Sequence, residues 1–329
     1  MKQGITLYSL TNEWVSRQYD LETMLDRVAS MGLGPGVEIV GFQSIREFPD
    51  VSIEFTRLWN KLMDKYDLVP SCLGSNVDVA HRSDRLLSVD EMADSLIRQF
   101  RVARELGFPV VRIQIGANDD VIRAVTPKAD EWNLKLGMEL HAPEGPCTPN
   151  IMKVRALYDD IGSPNLGFIP DFSSTMHSVP PGYLEDLVKQ GMPSEFAHLL
   201  VKEWSGEGAP FVRFGRFAEA AKAAGIPQEL IDASMMAFTM FGREPIEGWR
   251  ELAGRVFHVH GKNYEFDNDG NEPSIDYPGI VKILKDINFD GYISTEWEGH
   301  VFKGPGEADS FEEVAKHQAL IRRCLQSLG

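Results

Sequence analysis

Gly254–Asn263 reads GRVFHVHGKN, an apolar run carrying two histidines, His258 and His260, two residues apart. Two apart on a strand is the same face. A strand over Arg255–Val259 puts His260 at the C-terminal rim and His258 one layer deeper. Three other apolar runs end in an acid: Glu139 in LGMELHAPEG, Asp171 in LGFIPDFSS and Glu296 in GYISTEWEGH. If all four are strands of one parallel sheet, these side chains meet at one end of it.

Reading outward from those runs, the chain alternates. Apolar strand-like runs cover Ile5–Leu10, Gly36–Val40, Leu68–Leu73, Val110–Ile115, Leu134–Leu140, Leu166–Pro170, Arg255–Val259 and Tyr292–Trp297. Segments with helical spacing stand between them, as in Leu21–Met31, where Leu21, Met24, Leu25 and Val28 form one stripe before Gly32. Ile53–Tyr66, Ser88–Leu106, Asp119–Trp132, Thr148–Gly162, Tyr277–Ile287 and Ser310–Leu328 read likewise; Ser88 to Glu91 is a capping box. Eight such units predict a single (β/α)8 TIM barrel over 1–329. A doubly wound sheet would want a glycine-rich phosphate turn after the first strand, and Tyr8–Asn12 has no glycine. One link is far longer than the rest. The segment 173–254 is a helical insertion after strand six, with helices expected over Tyr183–Gln190, Ser194–Glu203, Arg216–Ala224 and Gln228–Phe241. It lies on the face where barrel active sites form, as a lid, a partner-docking surface or an added stabilising layer.

Composition narrows the partners. A net charge of −16 repels phosphate backbones and anionic lipid, so neither nucleic acid nor membrane is expected. Three cysteines with no CxxC pair read as reduced thiols, and no apolar run is long enough to span a bilayer; a cytoplasmic protein is expected.

Active sites of this fold lie at the C-terminal strand ends. A single acid there is more often a rim salt bridge than a ligand. Glu139, Asp171, His260 and Glu296 end four consecutive strands, and three carboxylates with one imidazole suit a hard divalent ion: Mn²⁺, with Mg²⁺ or another divalent ion as alternatives. His258 is expected to support His260 from below. His141, two past Glu139 and nearer the mouth, is a candidate acid/base. Glu38 and Gln114 face inward by alternation and are candidate sugar-hydroxyl partners. Lys262 is expected in the loop after His260, where with Asn263 it orders substrate. Glu298 and His300 are outer substrate contacts. His81, His177, His198 and His317 have no supporting pattern and are expected at the surface.

These runs together resemble the sugar phosphate isomerase/epimerase superfamily, the xylose isomerase-like barrels. The resemblance implies that MELH, IPDF, HVHGKN and STEWEG supply the Mn²⁺ ligands Glu139, Asp171, His260 and Glu296, and that Glu139 and Glu296 also serve as an acid/base pair. Asn263 departs from the acid that many members carry there. More narrowly, VEIVGFQSIREFPDVS (Val37–Ser52), MELHAPEGP (Met138–Pro146), PDFSSTM (Pro170–Met176) and the long insertion are similar to the catalytic α subunits of bacterial C-glycoside deglycosidases. That resemblance implies a carbon–carbon lyase acting on a 3-oxo-C-glycoside, oligomeric and paired with a small β subunit. The alternatives are a Mn²⁺-dependent ketose 3-epimerase or aldose–ketose isomerase, which share the first proton abstraction, and a non-catalytic sugar-binding barrel. A DNA-repair relative would need a histidine-rich multi-zinc cluster and a basic groove, which the acidic composition opposes.

Overall fold

The computed structural model describes residues 1–77, 82–114, 117–304 and 306–329. Eight parallel strands form one sheet: β1 (Lys2–Thr6), β2 (Gly36–Val40), β3 (Val69–Gly74), β4 (Val110–Ile113), β5 (Lys135–Leu140), β6 (Leu166–Pro170), β7 (Val259–Asn263) and β8 (Tyr292–Trp297). Their order is β6-β5-β4-β3-β2-β1-β8-β7. Two isolated parallel bridges, Phe168 to Val256 and Asp171 to His260, join β6 to β7 and nearly close the ring. The outcome is the TIM barrel that the alternation predicts, with helices such as Ile53–Tyr66, Val89–Leu106 and Asp119–Trp132 outside it. Ser88 and Glu91 exchange the two bonds of the capping box, and Gly107 ends that helix with φ 81°, a conformation that favours glycine. Among the described residues, no helix is long and apolar enough to cross a membrane.

Helices fill the long segment between β6 and β7: Pro181–Lys189, Ser194–Ser205, Pro210–Ala223, Gln228–Ser234 and Met236–Thr239. Their buried Tyr183, Trp204, Phe217 and Phe238 share one apolar cluster with Val259 of β7 and Ile293 of β8. Burial of large aromatic side chains at about 25 cal/mol per Å² makes such a shared cluster a strong tie. The helix expected at Arg216 starts earlier because Pro210 seeds its first turn. The one expected over Gln228–Phe241 breaks at Met235 into two short pieces.

Three expectations are corrected. β1 ends at Thr6, not Leu10, because the Thr6 hydroxyl accepts the Tyr8 N–H and opens a 3-10 turn over Leu7–Leu10. β7 runs four residues later than Arg255–Val259: Val256 makes only its isolated bridge, and regular pairing with β8 runs from Val259–Ile293 to Asn263–Trp297. Gly261 therefore lies inside the strand, where a Cβ would come within 2.6 Å of His317 Cε1. The last part of the fourth run, Ile115, and His81 lie outside the described residues.

The third correction is His317, which is fully buried. The Tyr277 hydroxyl donates to the Lys262 carbonyl, so it accepts from His317 Nε2–H at 2.7 Å. Nδ1 is then the acceptor for the Thr295 hydroxyl at 2.8 Å. Burial pushes this imidazole down to about 3. The unfolded chain takes up its proton below the ordinary value of about 6.5, while the folded chain does not. Stability that is complete above that pH therefore falls as pH drops toward 3, by at most about 1.4 kcal/mol per pH unit. Urea midpoints followed from pH 7 to pH 5 are expected to fall more steeply for the native chain than for His317→Gln; parallel curves overturn the assignment.

Candidate metal centre

Strand alternation delivers the cluster. Glu139 lies on β5, Asp171 directly after β6, His260 on β7 and Glu296 on β8. One ligand atom from each lies within 4.8 Å of the others, and all four residues are buried. His260 Nδ1 stands 2.7 Å from Glu139 Oε1, 3.1 Å from Glu296 Oε2 and 3.9 Å from Asp171 Oδ2. On its other side His260 Nε2 is 2.9 Å from Glu38 Oε1, and Glu38 Oε2 is 2.9 Å from His258 Nε2. A carboxylate only accepts, so each Nε2 donates its N–H to Glu38. By the same rule Nδ1 donates to Glu139 Oε1 at 2.7 Å, and a divalent ion would take the place of that proton, with Glu38 holding the ring in orientation as an outer carboxylate orients a metal-binding imidazole. Ser294 also meets His258 Nε2, at 2.9 Å.

Charge makes the same point. Five buried acids, Glu38, Glu139, Asp171, Glu296 and Glu298, face two buried cations, Arg112 and Lys262. Concentrated negative charge away from water is costly unless cations offset it. Burial alone would raise the Glu139 pKa, but Arg112 and then His260 hold it well below the carboxylate range. Glu296 is likewise opposed by burial, yet Lys262 and His260 bring it to about 2. Asp171 is raised, burial outweighing Lys262 and His141. His260 is desolvated, but Glu38, Glu296 and Glu139 raise it well above an ordinary imidazole. Asp171 Oδ2 and Glu296 Oε2 are buried without a hydrogen bond, although Lys262 Nζ lies 3.3 Å from the first and His260 Nδ1 3.1 Å from the second. Two unpartnered carboxylate oxygens, one oriented imidazole nitrogen and surplus negative charge fit a hard divalent cation.

Above the cluster opens a cavity of about 660 Å³ lined by Arg112, Gln114, His141, Lys262, Phe42 and Phe211 among others. His141 Nδ1 lies 2.8 Å from the Ala142 carbonyl, which only accepts; Nδ1 therefore carries a proton and Nε2 is the nitrogen that titrates, burial opposing its charge but Asp171 raising its pKa. Gln114 is exposed just past β4. Phe42 and Phe211 are 64% and 65% exposed and line the mouth.

Other placements differ from expectation. Lys262 is a buried strand residue, since β7 runs late: its Nζ is 2.9 Å from Glu298 Oε2 and 3.3 Å from Glu296 Oε1. Glu298 is buried rather than outward, and accepts the Tyr8 hydroxyl at 3.1 Å. Glu38 lines the cavity, but each of its oxygens already accepts from a histidine. His300 does not line the cavity; its ring packs edge-on against Tyr8 and Trp297. Sequence reasoning missed Arg112, whose Nη1 donates to Glu139 Oε2 at 2.7 Å. The signal was present: Arg112 is two residues before Gln114, on the same inward face of VVRIQI.

The family model for the xylose isomerase-like TIM barrel matches residues 25–324. A C-glycoside deglycosidase alpha subunit from Arthrobacter globiformis is 41% identical over 98% of this chain and 92% of its own. A 3'-dehydrocarminate deglycosidase alpha subunit from a Microbacterium species is 34% identical over 97% of this chain and 94% of its own. Among solved structures, the IOLI protein with a binding zinc atom superposes with a TM-score of 0.59 at 12% identity, covering 99% of both chains, a likeness of fold alone. The chain belongs to the xylose isomerase-like TIM barrel family and, within it, is a homologue of the C-glycoside deglycosidase alpha subunits.

Proposed function

We propose that the chain is the catalytic subunit of a divalent-metal-dependent carbon–carbon lyase that cleaves 3-oxo-C-glycosides in the cytoplasm. The observation that carries this reading is the Glu139–Asp171–His260–Glu296 cluster at the floor of a cavity whose mouth is lined by exposed Phe42 and Phe211. A polar floor suits a sugar ring and an aromatic mouth suits an aryl aglycone. The names of the relatives support the same substrate class. They are also alpha subunits, so a small β subunit is the expected partner in a hetero-oligomer.

The four ligands would hold Mn²⁺, or Mg²⁺ or another divalent ion, which when bound supplies Lewis-acid stabilisation for negative charge developing on adjacent sugar oxygens. His141 Nε2 takes the proton from C2, next to the C3 carbonyl. The C–H electron pair enters conjugation with that carbonyl. Collapse breaks the C1–aryl bond, leaving a C1–C2 double bond in the sugar while the aglycone carbon is protonated. Lys262 sits among Asp171, Glu296 and Glu298 and fixes the carboxylates around the sugar. Gln114, at the lip, is placed to reach a sugar hydroxyl.

The test incubates the purified chain with Mn²⁺ and a 3-oxo-C-glucoside, with and without its small partner, beside common free ketoses. Aglycone release that EDTA abolishes and Mn²⁺ restores is expected. A second reading, a ketose 3-epimerase or aldose–ketose isomerase, draws on Glu139 and Glu296 lying together in the cluster; ketose turnover without aglycone release would favour it. A chain that binds Mn²⁺ and sugar but turns over neither would be a sugar-binding barrel.

A further inference from the structure

Glu139 and Glu296 are not equivalent. Both are buried and both contact His260, but their second oxygens differ. Glu139 Oε1 lies 2.7 Å from His260 Nδ1, and its Oε2 accepts from Arg112 Nη1 at 2.7 Å. Both Glu139 oxygens are therefore engaged. Glu296 carries no guanidinium: its Oε2 faces His260 Nδ1 at 3.1 Å without a hydrogen bond, and its Oε1 is 3.3 Å from Lys262 Nζ, a looser contact than the 2.7 Å bond from Arg112. The Arg112 side chain is itself 10% exposed and stands on β4, next to β5. It fits there because β3 ends in Gly74, where a Cβ would come within 3.0 Å of Arg112 Nη2. A guanidinium does not release its proton in a protein, so the cap on Oε2 is permanent. A short, buried, charge-assisted bond of this kind is among the strongest a carboxylate makes.

The chemical consequence concerns inversion. Epimerising a carbon beside a carbonyl breaks the C–H bond on one face. The proton goes to a base, and the electron pair passes into the carbonyl. A second acid then returns a proton to the opposite face. Two carboxyl groups can share that work only if each has an oxygen free to gain and lose a proton. We propose that Arg112 is a positioning residue that confines Glu139 to ligand duty, so that the Glu139–Glu296 pair is disarmed for inversion and the site is committed to proton removal followed by elimination. This deepens the lyase reading and rests on the same cavity being the active site.

The test uses free ketoses, so it is read whether or not a C-glycoside is cleaved; failure of the lyase reading is a separate observation, the absence of aglycone release. The native chain, Arg112→Met and Arg112→Lys are loaded with Mn²⁺, whose affinity is measured by calorimetry. Each is incubated with D-fructose in D₂O, and C3-inverted ketose and deuterium at C3 are quantified by NMR. The expected result is that Arg112→Met binds Mn²⁺ within tenfold of the native chain and yields at least tenfold more inverted, deuterated ketose. Arg112→Lys, which keeps a cation against Oε2, should stay at the native level. Three outcomes overturn the proposal: a native chain that inverts ketoses as fast as Arg112→Met does, a metal-loaded Arg112→Met with no gain, or loss of Mn²⁺ affinity beyond a hundredfold in Arg112→Met alone. The last would mean that the cation merely holds the cluster together.

Discussion

His260→Ala is expected to lose Mn²⁺ and activity together, with metal affinity down by on the order of a hundredfold or more, since even outer partners of metal ligands are worth about 10–100-fold. The imidazole is the one nitrogen donor among three carboxylates, and it is also the group that separates them. Its removal leaves Glu139 Oε1 and Glu38 Oε1 without the partners they have at 2.7 and 2.9 Å. Stranding buried charges in this way destabilises a protein by about 3–5 kcal/mol. A lower melting temperature is expected as well, so activity alone would be ambiguous. The decisive comparison is His258→Ala. His258 contacts Glu38 Oε2 and Ser294 but none of the four proposed ligands through a hydrogen bond. Glu38 Oε1 still holds His260 in that variant. It is expected to keep one Mn²⁺ per chain with at most about a hundredfold weaker binding, the usual cost of losing outer support. Calorimetry and metal content per chain read both variants. A folded His260→Ala with native metal stoichiometry would sink the four-ligand site, and so would a His258→Ala that loses the ion outright.

Why the cluster was legible while its surroundings were not follows from what each signal measures. Glu139, Asp171 and Glu296 each end an apolar run, and parallel strands with helical crossovers can only bring those ends to one rim. Alternation then orders His258 below His260. It also extends to Lys262, yet Gly261 made that residue look like the start of a loop. In the fold, Gly261 is a strand residue that gives His317 room, a close approach between distant parts of the chain that no local pattern reveals. The same long-range packing hid His317, 0% exposed against a sequence context that reads as a surface helix. Glu38 was correctly placed on the inward face, but its engagement by two histidines from β7 depends on strands far apart in sequence. Arg112 is different. Its inward position was open to the same alternation argument, and a charged residue in the centre of VVRIQI should have drawn attention because a buried arginine needs a buried partner.

His141→Gln is expected to lower kcat by about 10²–10⁴-fold, the usual contribution of a positioned general base, while leaving Mn²⁺ binding within a few-fold of native. His141 lies just past the end of β5, two residues beyond Glu139, and lines the cavity. Its Nδ1–H is committed to the Ala142 carbonyl at 2.8 Å, which sets the ring orientation and leaves Nε2 as the free acceptor. Of the three groups named as acid or base, Glu139 has both oxygens engaged. Among those three, His141 Nε2 and Glu296 Oε2 remain. Glutamine keeps an amide near the position of the ring without supplying a base, so substrate binding should change little and the loss should fall on kcat. The direct readout is deuterium wash-in from D₂O at C2 of a 3-oxo sugar, followed by NMR without waiting for any bond to the aglycone to break. Native-like wash-in by a metal-loaded His141→Gln would move the base to Glu296. Wash-in abolished with the ion still bound would leave the imidazole as the group that starts the reaction, with the carboxylates below it confined to holding charge.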